Sequence, residues 1–126
     1  MFTHVTVGAN DIEASRRFYD AALGALGLAS GRPDPKGRYW WRTDRGAFAV
    51  GKPIDGEAAC HANGGTIGFF AQSPETVDAF HAAGVENGGT SIEDPPGLRE
   101  LPFGKLYLAY LRDPSGNKIC AMHRVG

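Results

Sequence analysis

No apolar run in this 126-residue chain approaches the roughly 20 residues that a membrane-crossing helix takes. Charge of either sign is not in excess: 13 Lys and Arg against 14 Asp and Glu leave a net charge of −1. That balance gives no electrostatic footprint for nucleic acid or a membrane surface, and neither is expected as a partner. Cysteine is sparse, and Cys60 and Cys120 form no CxxC motif; a reducing compartment would keep both as thiols. The opening "MFTHVTVGAND" lacks the basic-then-apolar layout of a signal peptide, so a cytoplasmic location is expected. Neither G-x-G-x-x-G nor a Walker-type phosphate loop occurs, because "GKP" lacks the upstream glycines. A G-x-S-x-G nucleophile elbow is also missing. With 42% hydrophobic and 21% charged residues, the composition is that of one globular domain with a proper core.

What the chain has in abundance is punctuation, with 18 glycines and 8 prolines cutting it into short segments. "FTHVTV" (2–7) has the β-branched content of a strand. Asn10 and Glu13 in "NDIE" have capping-box spacing. Ile12, Phe18, Tyr19, Ala22, Leu23 and Leu26 then trace one helical face up to Gly27. "GRYWWRTDRGAFAVG" (37–51) reads as two strands joined at Asp44–Gly46, followed by a loop through "KPIDGEAACHANGG". The order then repeats. "GTIGFFA" (65–71) is a strand, and "SPET" supplies an N-cap serine and a proline at the first helical position. Val77, Phe80 and Ala83 carry a second helix to Gly84. "DPPGLRELPFG" (94–104) reads as a loop whose Arg99 and Glu100 could cover a cleft. "KLYLAYL" (105–111), the turn "DPSG" and "NKICAMH" (117–123) close the chain. The class is α+β: two βαβββ modules, about 1–60 and about 64–126, in a single domain.

Laid on one another, "THV" at 3–5 matches "TIG" at 66–68, and "TDRGAFAV" at 43–50 matches "DPSGNKIC" at 113–120. His4 then corresponds to Ile67 and Val50 to Cys120, and a pseudo-twofold would bring all four to one central site. Val5 and Val7 suit the face under the helices, which turns His4 and Thr6 toward the cleft. Trp40 and Trp41 take opposite faces of one strand, Tyr107 and Tyr110 do the same on another, and Phe69 shares the face of Ile67. An apolar, aromatic-lined pocket with a few polar groups is a common ligand-site composition. The expected ligand-binding residues are Thr6, Trp40, Trp41, Val50, Ile67, Phe69, Tyr107 and Tyr110.

Three stretches together resemble the vicinal oxygen chelate superfamily, the glyoxalase/bleomycin-resistance/dioxygenase proteins. They are "HVTVGANDIEASRRFYDAALGALGL", "TVDAFHAAGVENGGT" and "YLAYLRDPSGNKICAM", and the likeness covers nearly the whole chain. It implies two βαβββ modules whose curved sheets enclose a cleft, and a homodimer. Metal-using members hold a divalent ion through histidine and glutamate, so the resemblance makes His4, Val50, Ile67 and Cys120 the ligand positions. Only His4 is the usual ligand type, and valine and isoleucine cannot coordinate. No metal or other cofactor is expected, and a divalent ion completed by Cys120 or by Cys60 and His61 is the alternative.

Three classes of function stay open. The first is a protein that binds a small organic ligand without metal. The second is a metal-dependent, lactoylglutathione-lyase-like or dioxygenase-like enzyme. The third is a metal-free enzyme with His4 or Cys120 as its catalytic residue. A reactive Cys120 thiolate would need a nearby cation, and Lys118 shares its strand face.

Overall fold

The computed structural model describes residues 1–126. β1 (His4–Gly8), α1 (Ile12–Ala25), β2 (Arg32–Pro33), β3 (Tyr39–Thr43) and β4 (Gly46–Gly51) form the first module. β5 (Ile67–Phe70), α2 (Pro74–Glu86), β6 (Thr90–Leu101), β7 (Gly104–Arg112) and β8 (Lys118–Arg124) form the second. Each module makes a four-stranded sheet, ordered β1-β4-β3-β2 and β5-β8-β7-β6. In both sheets the strand before the helix pairs parallel with the module's last strand, and the other pairings are antiparallel. The tandem βαβββ reading holds.

Local chemistry explains the element ends, with two departures from expectation. The N-cap of α1 is Asp11, whose carboxylate accepts from the Ala14 amide, and not Asn10. Asn10 instead exchanges hydrogen bonds with Ala59 and donates its backbone amide to Ser115 Oγ, tying the helix start to two loops. Gly27 ends this helix at φ 98°, a backbone setting that glycine adopts without strain. Ser73 and Thr76 close a reciprocal capping box on α2 with Pro74 behind it.

The larger departure is residues 94–101. Their sequence predicts a loop, yet they belong to β6, the edge strand of its sheet. Pro95 and Pro96 lie where the β6–β7 register slips between Ile92 and Gly97. An edge strand with a bulge has positions that need no N–H donor, so the prolines punctuate the strand without ending it. Arg99 and Glu100 are therefore ladder residues opposite Leu106 and Lys105 and do not form a loop lid.

One core serves both modules. Phe18, Tyr19 and Leu23 of α1, Val77 and Phe80 of α2, Trp41, Phe48 and Val50 of the first sheet, and Leu111, Ile119 and Ala121 of the second all belong to it. Phe48 meets Phe69 edge-to-face across the modules, with ring centroids 5.2 Å apart. The helix-bearing faces of the two sheets are thus turned toward each other, and their opposite faces point away from the shared core.

A buried polar clamp fixes this arrangement. Asp113 Oδ2 accepts from Tyr19 Oη at 2.6 Å and from Asn117 Nδ2 at 2.9 Å. Asp113 Oδ1 accepts from the amides of Ser115 and Asn117, and Asn117 Nδ2 also reaches the Gly8 carbonyl. One carboxylate so links α1, the end of β1 and the β7–β8 turn. Burial, and then the neighbouring Asp113 charge, push the Tyr19 phenol well above its ordinary range.

Candidate functional site

Strand register decides which expected residues can meet a ligand. His4 and Thr6 are exposed on the open face of β1, away from the core, as expected. Thr6 pairs with Ala49 and Ala49 with Trp40, so these share that face. On the second sheet Gly68 pairs with Cys120 and Cys120 with Tyr110, and Leu106, Leu108 and Tyr110 pack around the thiol. Cys120 and Tyr110 therefore lie on the open face of their own sheet.

Five of the expected ligand residues lie in or against the core. Val50 and Trp41 are buried in it, and Ile67 and Phe69 pack against it. Tyr107 packs there too, its hydroxyl donating to Asp78 of α2 at 2.9 Å. The correction has a simple cause: matching the modules one residue out of step exchanges the two faces of a strand. Three structural markers supply the right match. The N-caps are Asp11 and Ser73, the fully buried helix phenylalanines are Phe18 and Phe80, and the amides closing each sheet are Ala9 onto Gly51 and Ala71 onto Met122. On that match His4 corresponds to Thr66 and Cys120 to Ala49.

The donor set does not fit a catalytic metal. His4, Ala49, Thr66 and Cys120 occupy the four symmetry-related positions, and only His4 and Cys120 carry ordinary ligand atoms. No three His, Cys, Asp or Glu side chains converge anywhere in the chain. His4 and Cys120 themselves lie on sheet faces turned away from each other, so one chain does not bring them to a single site. A second copy placed face to face would add only the same four residue types, still short of the three protein ligands of a catalytic centre.

The remaining candidates separate by environment. Cys120 is buried, and that burial raises its thiol to about 11; Lys118 pulls the other way but is outweighed. Lys118 is committed to Glu93 and sits over the Tyr110 ring, 5.0 Å from its centroid. Cys60 and His61 are exposed in the loop between modules, and both cysteines are free. His81 hydrogen-bonds Ser91, and His123 meets the Ala71 carbonyl on the helix-bearing side.

The open face of the first sheet has the richest chemistry. Trp40 is its centre, with the Arg42 guanidinium 4.6 Å and the Arg38 guanidinium 5.5 Å from the ring centroid. The His4 ring tilts against it at 5.7 Å. Asp34 holds the group together, accepting from Trp40 Nε1 at 2.9 Å and from Arg38 Nε at 2.7 Å. The indole hydrogen bond leads the contacts that keep the Asp34 carboxyl well below its ordinary value, despite partial burial. Beside this platform lies a hollow of about 660 Å³, bordered by Thr6, Gly8, Lys36, Arg38, Lys52 and Cys60. Sequence reading missed Lys36, Arg38 and Lys52. Their signal was the pair of cation-bearing turns "PKGR" and "GKP", which local pattern alone does not bring together.

This geometry agrees with the comparisons. Residues 1–121 match the Glyoxalase/Bleomycin resistance protein/Dioxygenase superfamily. A glyoxalase/bleomycin resistance protein from Albidiferax ferrireducens T118 is 60% identical, with a TM-score of 0.96 over 98% of this chain and 99% of that one. A family enzyme from Burkholderia phytofirmans PsJN is 18% identical, with a TM-score of 0.72 over 98% of each chain, a likeness of fold. The virulence protein STM3117 from Salmonella typhimurium is 20% identical, with a TM-score of 0.68 over 99% of this chain and 97% of that one. No protein of curated function matches. The chain belongs to the glyoxalase/bleomycin resistance/dioxygenase superfamily.

Proposed function

We propose that this protein binds a small organic molecule on the open face of its first sheet without a divalent metal, as a homodimer. The observation that carries the reading is the contrast between the symmetry-related metal positions and the ground beside them on the first sheet. Of the four symmetry-related metal positions only His4 offers an imidazole; Ala49 beside it holds a methyl, and Thr66 and Cys120 of the second module hold a hydroxyl and a buried thiol. That ground holds a tryptophan between two guanidiniums and a hollow of ligand size. A buried thiol raised to about 11 is a poor nucleophile near neutral pH, which favours binding over covalent chemistry at Cys120.

The dimer rests on the open face of the second sheet. Phe70 and Met122, paired across β5 and β8, are 69% and 40% exposed there. A second copy seated on this face would cover both apolar side chains, and exposed apolar patches of this kind mark interaction sites. Two free cysteines suit a cytoplasmic setting, and no helix is long and apolar enough to cross a membrane.

Elemental analysis of tag-free protein after incubation with Ni, Zn, Mn and Fe(II), together with light scattering, tests the proposal. The expected result is a dimer that retains no stoichiometric metal. A stoichiometric ion lost on His4→Ala would overturn the metal-free reading and direct assays toward lyase and dioxygenase chemistry.

A further inference from the structure

We infer that the hollow selects small organic acids, with Lys36, Arg38 and Lys52 forming a subsite for the ligand's carboxylate or phosphate. This rests on the ligand-binding reading above and adds a charge class to it. The chain as a whole is close to neutral at −1, so the concentration of cations here is local. Three positive side chains border the hollow, and Asp55 is the one acid among the bordering residues. Lys36 and Lys52 take part in no ion pair, so the lining carries a surplus of positive charge.

Arg38 is held ready for such a ligand. Its Nε and its backbone amide both bond Asp34, whose Oδ1 also takes the Lys36 amide. That leaves the two terminal guanidinium nitrogens without a protein acceptor, in the fork geometry suited to an oxyanion. Gly51 makes the arrangement possible. A Cβ there would stand 2.6 Å from Arg38 Cγ, so only glycine lets the arginine stem cross β4. Part of the lining is apolar: Pro53, Ile54 and Ala58 border the hollow and offer a surface for a hydrocarbon or aryl body. A neutral or cationic ligand would leave the unpaired lysines uncompensated, and a cationic one would be repelled by them.

Cys60 borders the same hollow, is exposed, and serves as the reporter. The experiment follows its reaction with the uncharged reagent 4,4′-dithiodipyridine in the intact protein. A panel of arylalkanoic acids is compared with the primary amide and the amine of each skeleton. An acid present at ten times its dissociation constant should slow labelling about tenfold, while amides and amines protect little. Lys36→Gln with Lys52→Gln should weaken protection by the acids roughly tenfold or more. Gly51→Ala, which displaces Arg38, should weaken it too, and unchanged melting curves would show that each variant is folded. Equal protection by acids and amides, or undiminished protection in the folded lysine variant, would overturn the charge selection and leave the binding site standing. Failure of all three classes to protect Cys60 would overturn the assignment of the hollow as a ligand site, and this proposal with it.

Discussion

Tyr19→Phe tests whether one buried carboxylate holds the two modules together. The change removes a single hydroxyl from the core and leaves the ring stack with Phe18, Trp41 and Phe48 in place. Asp113 Oδ2 would lose its 2.6 Å donor and keep only Asn117 Nδ2. A buried hydrogen bond to a charged group contributes roughly 1.5–3 kcal/mol, so a loss of about 2 kcal/mol is expected. For a domain of this size that lowers Tm by roughly 6–10 °C. Denaturant unfolding with a global two-state fit measures the difference. The pH dependence gives a second check. Tyr19 has a folded-state pKa raised above the ordinary 10.0, so its contribution is complete below pH 10 and lost as pH climbs through the folded value. The gap between wild type and variant should therefore be flat across neutral pH and close in strong alkali. A variant within about 0.5 kcal/mol of wild type would refute the clamp, since that is the ordinary scatter of changes that touch nothing important.

Two further outcomes follow from burial. Ellman-type titration of the native protein should count one fast thiol, Cys60, with Cys120 reacting only after unfolding. Because the folded Cys120 thiol is raised from 9.0 to about 11, its share of stability should be intact below pH 9 and fade between pH 9 and 11, a slope that Cys120→Ala removes. Gly84→Ala should destabilise the protein although alanine is the better helix former by about 1 kcal/mol. A Cβ at Gly84 would stand 2.4 Å from Leu111 Cδ1 and 3.1 Å from Phe18 Cε1, both in the core, and overpacking of this kind costs roughly 1–3 kcal/mol. A rise in Tm would show that the α1–α2 contact is slack.

Most of the fold is legible in the sequence because its punctuation is local. Gly27, the Ser73–Pro74 start and the "DPSG" turn each act through the backbone of their own few residues. Two things escape that logic. The β6 strand is hidden because proline and glycine mean loop only when the neighbouring strand demands an N–H, and a bulged edge strand does not. The site is hidden because strand faces alternate with every residue. A match one position out of step exchanges Val50 for Ala49 and Ile67 for Thr66, and short strands offer few residues to correct it. Alternation along β1 turns His4 and Thr6 to an open face, and the closing hairpin points to Cys120, but alternation alone does not choose Trp40 over Trp41 or Tyr110 over Tyr107. Trp41, Val50, Ile67, Phe69 and Tyr107 are misplaced where the argument crosses between modules or leaves both faces in play. The cationic hollow is assembled by Lys36 and Arg38 before β3 and Lys52 after β4, a meeting that needs the hairpin to be folded first.

Adjacent tryptophans make this parity testable in one experiment. Trp41 is 1% exposed, donates Nε1 to Asp20 at 3.0 Å and packs on Tyr19 and Phe48. Trp40 shares its strand, yet its ring lies outside the core among Arg38, Arg42 and His4. Trp41→Ala deletes a buried aromatic and should cost about 3–5 kcal/mol, a large part of a small domain's stability. Trp40→Ala leaves the core intact and should cost about 1 kcal/mol or less, while releasing Arg38 from its stacking partner and weakening protection of Cys60 by organic acids. The two effects are opposite in kind: one variant loses stability, the other binding. Equal destabilisation by both would mean that the open face is packed like a core, and the platform could then not receive a ligand. Loss of protection in neither would leave Trp40 a surface ornament and remove the aromatic half of the site.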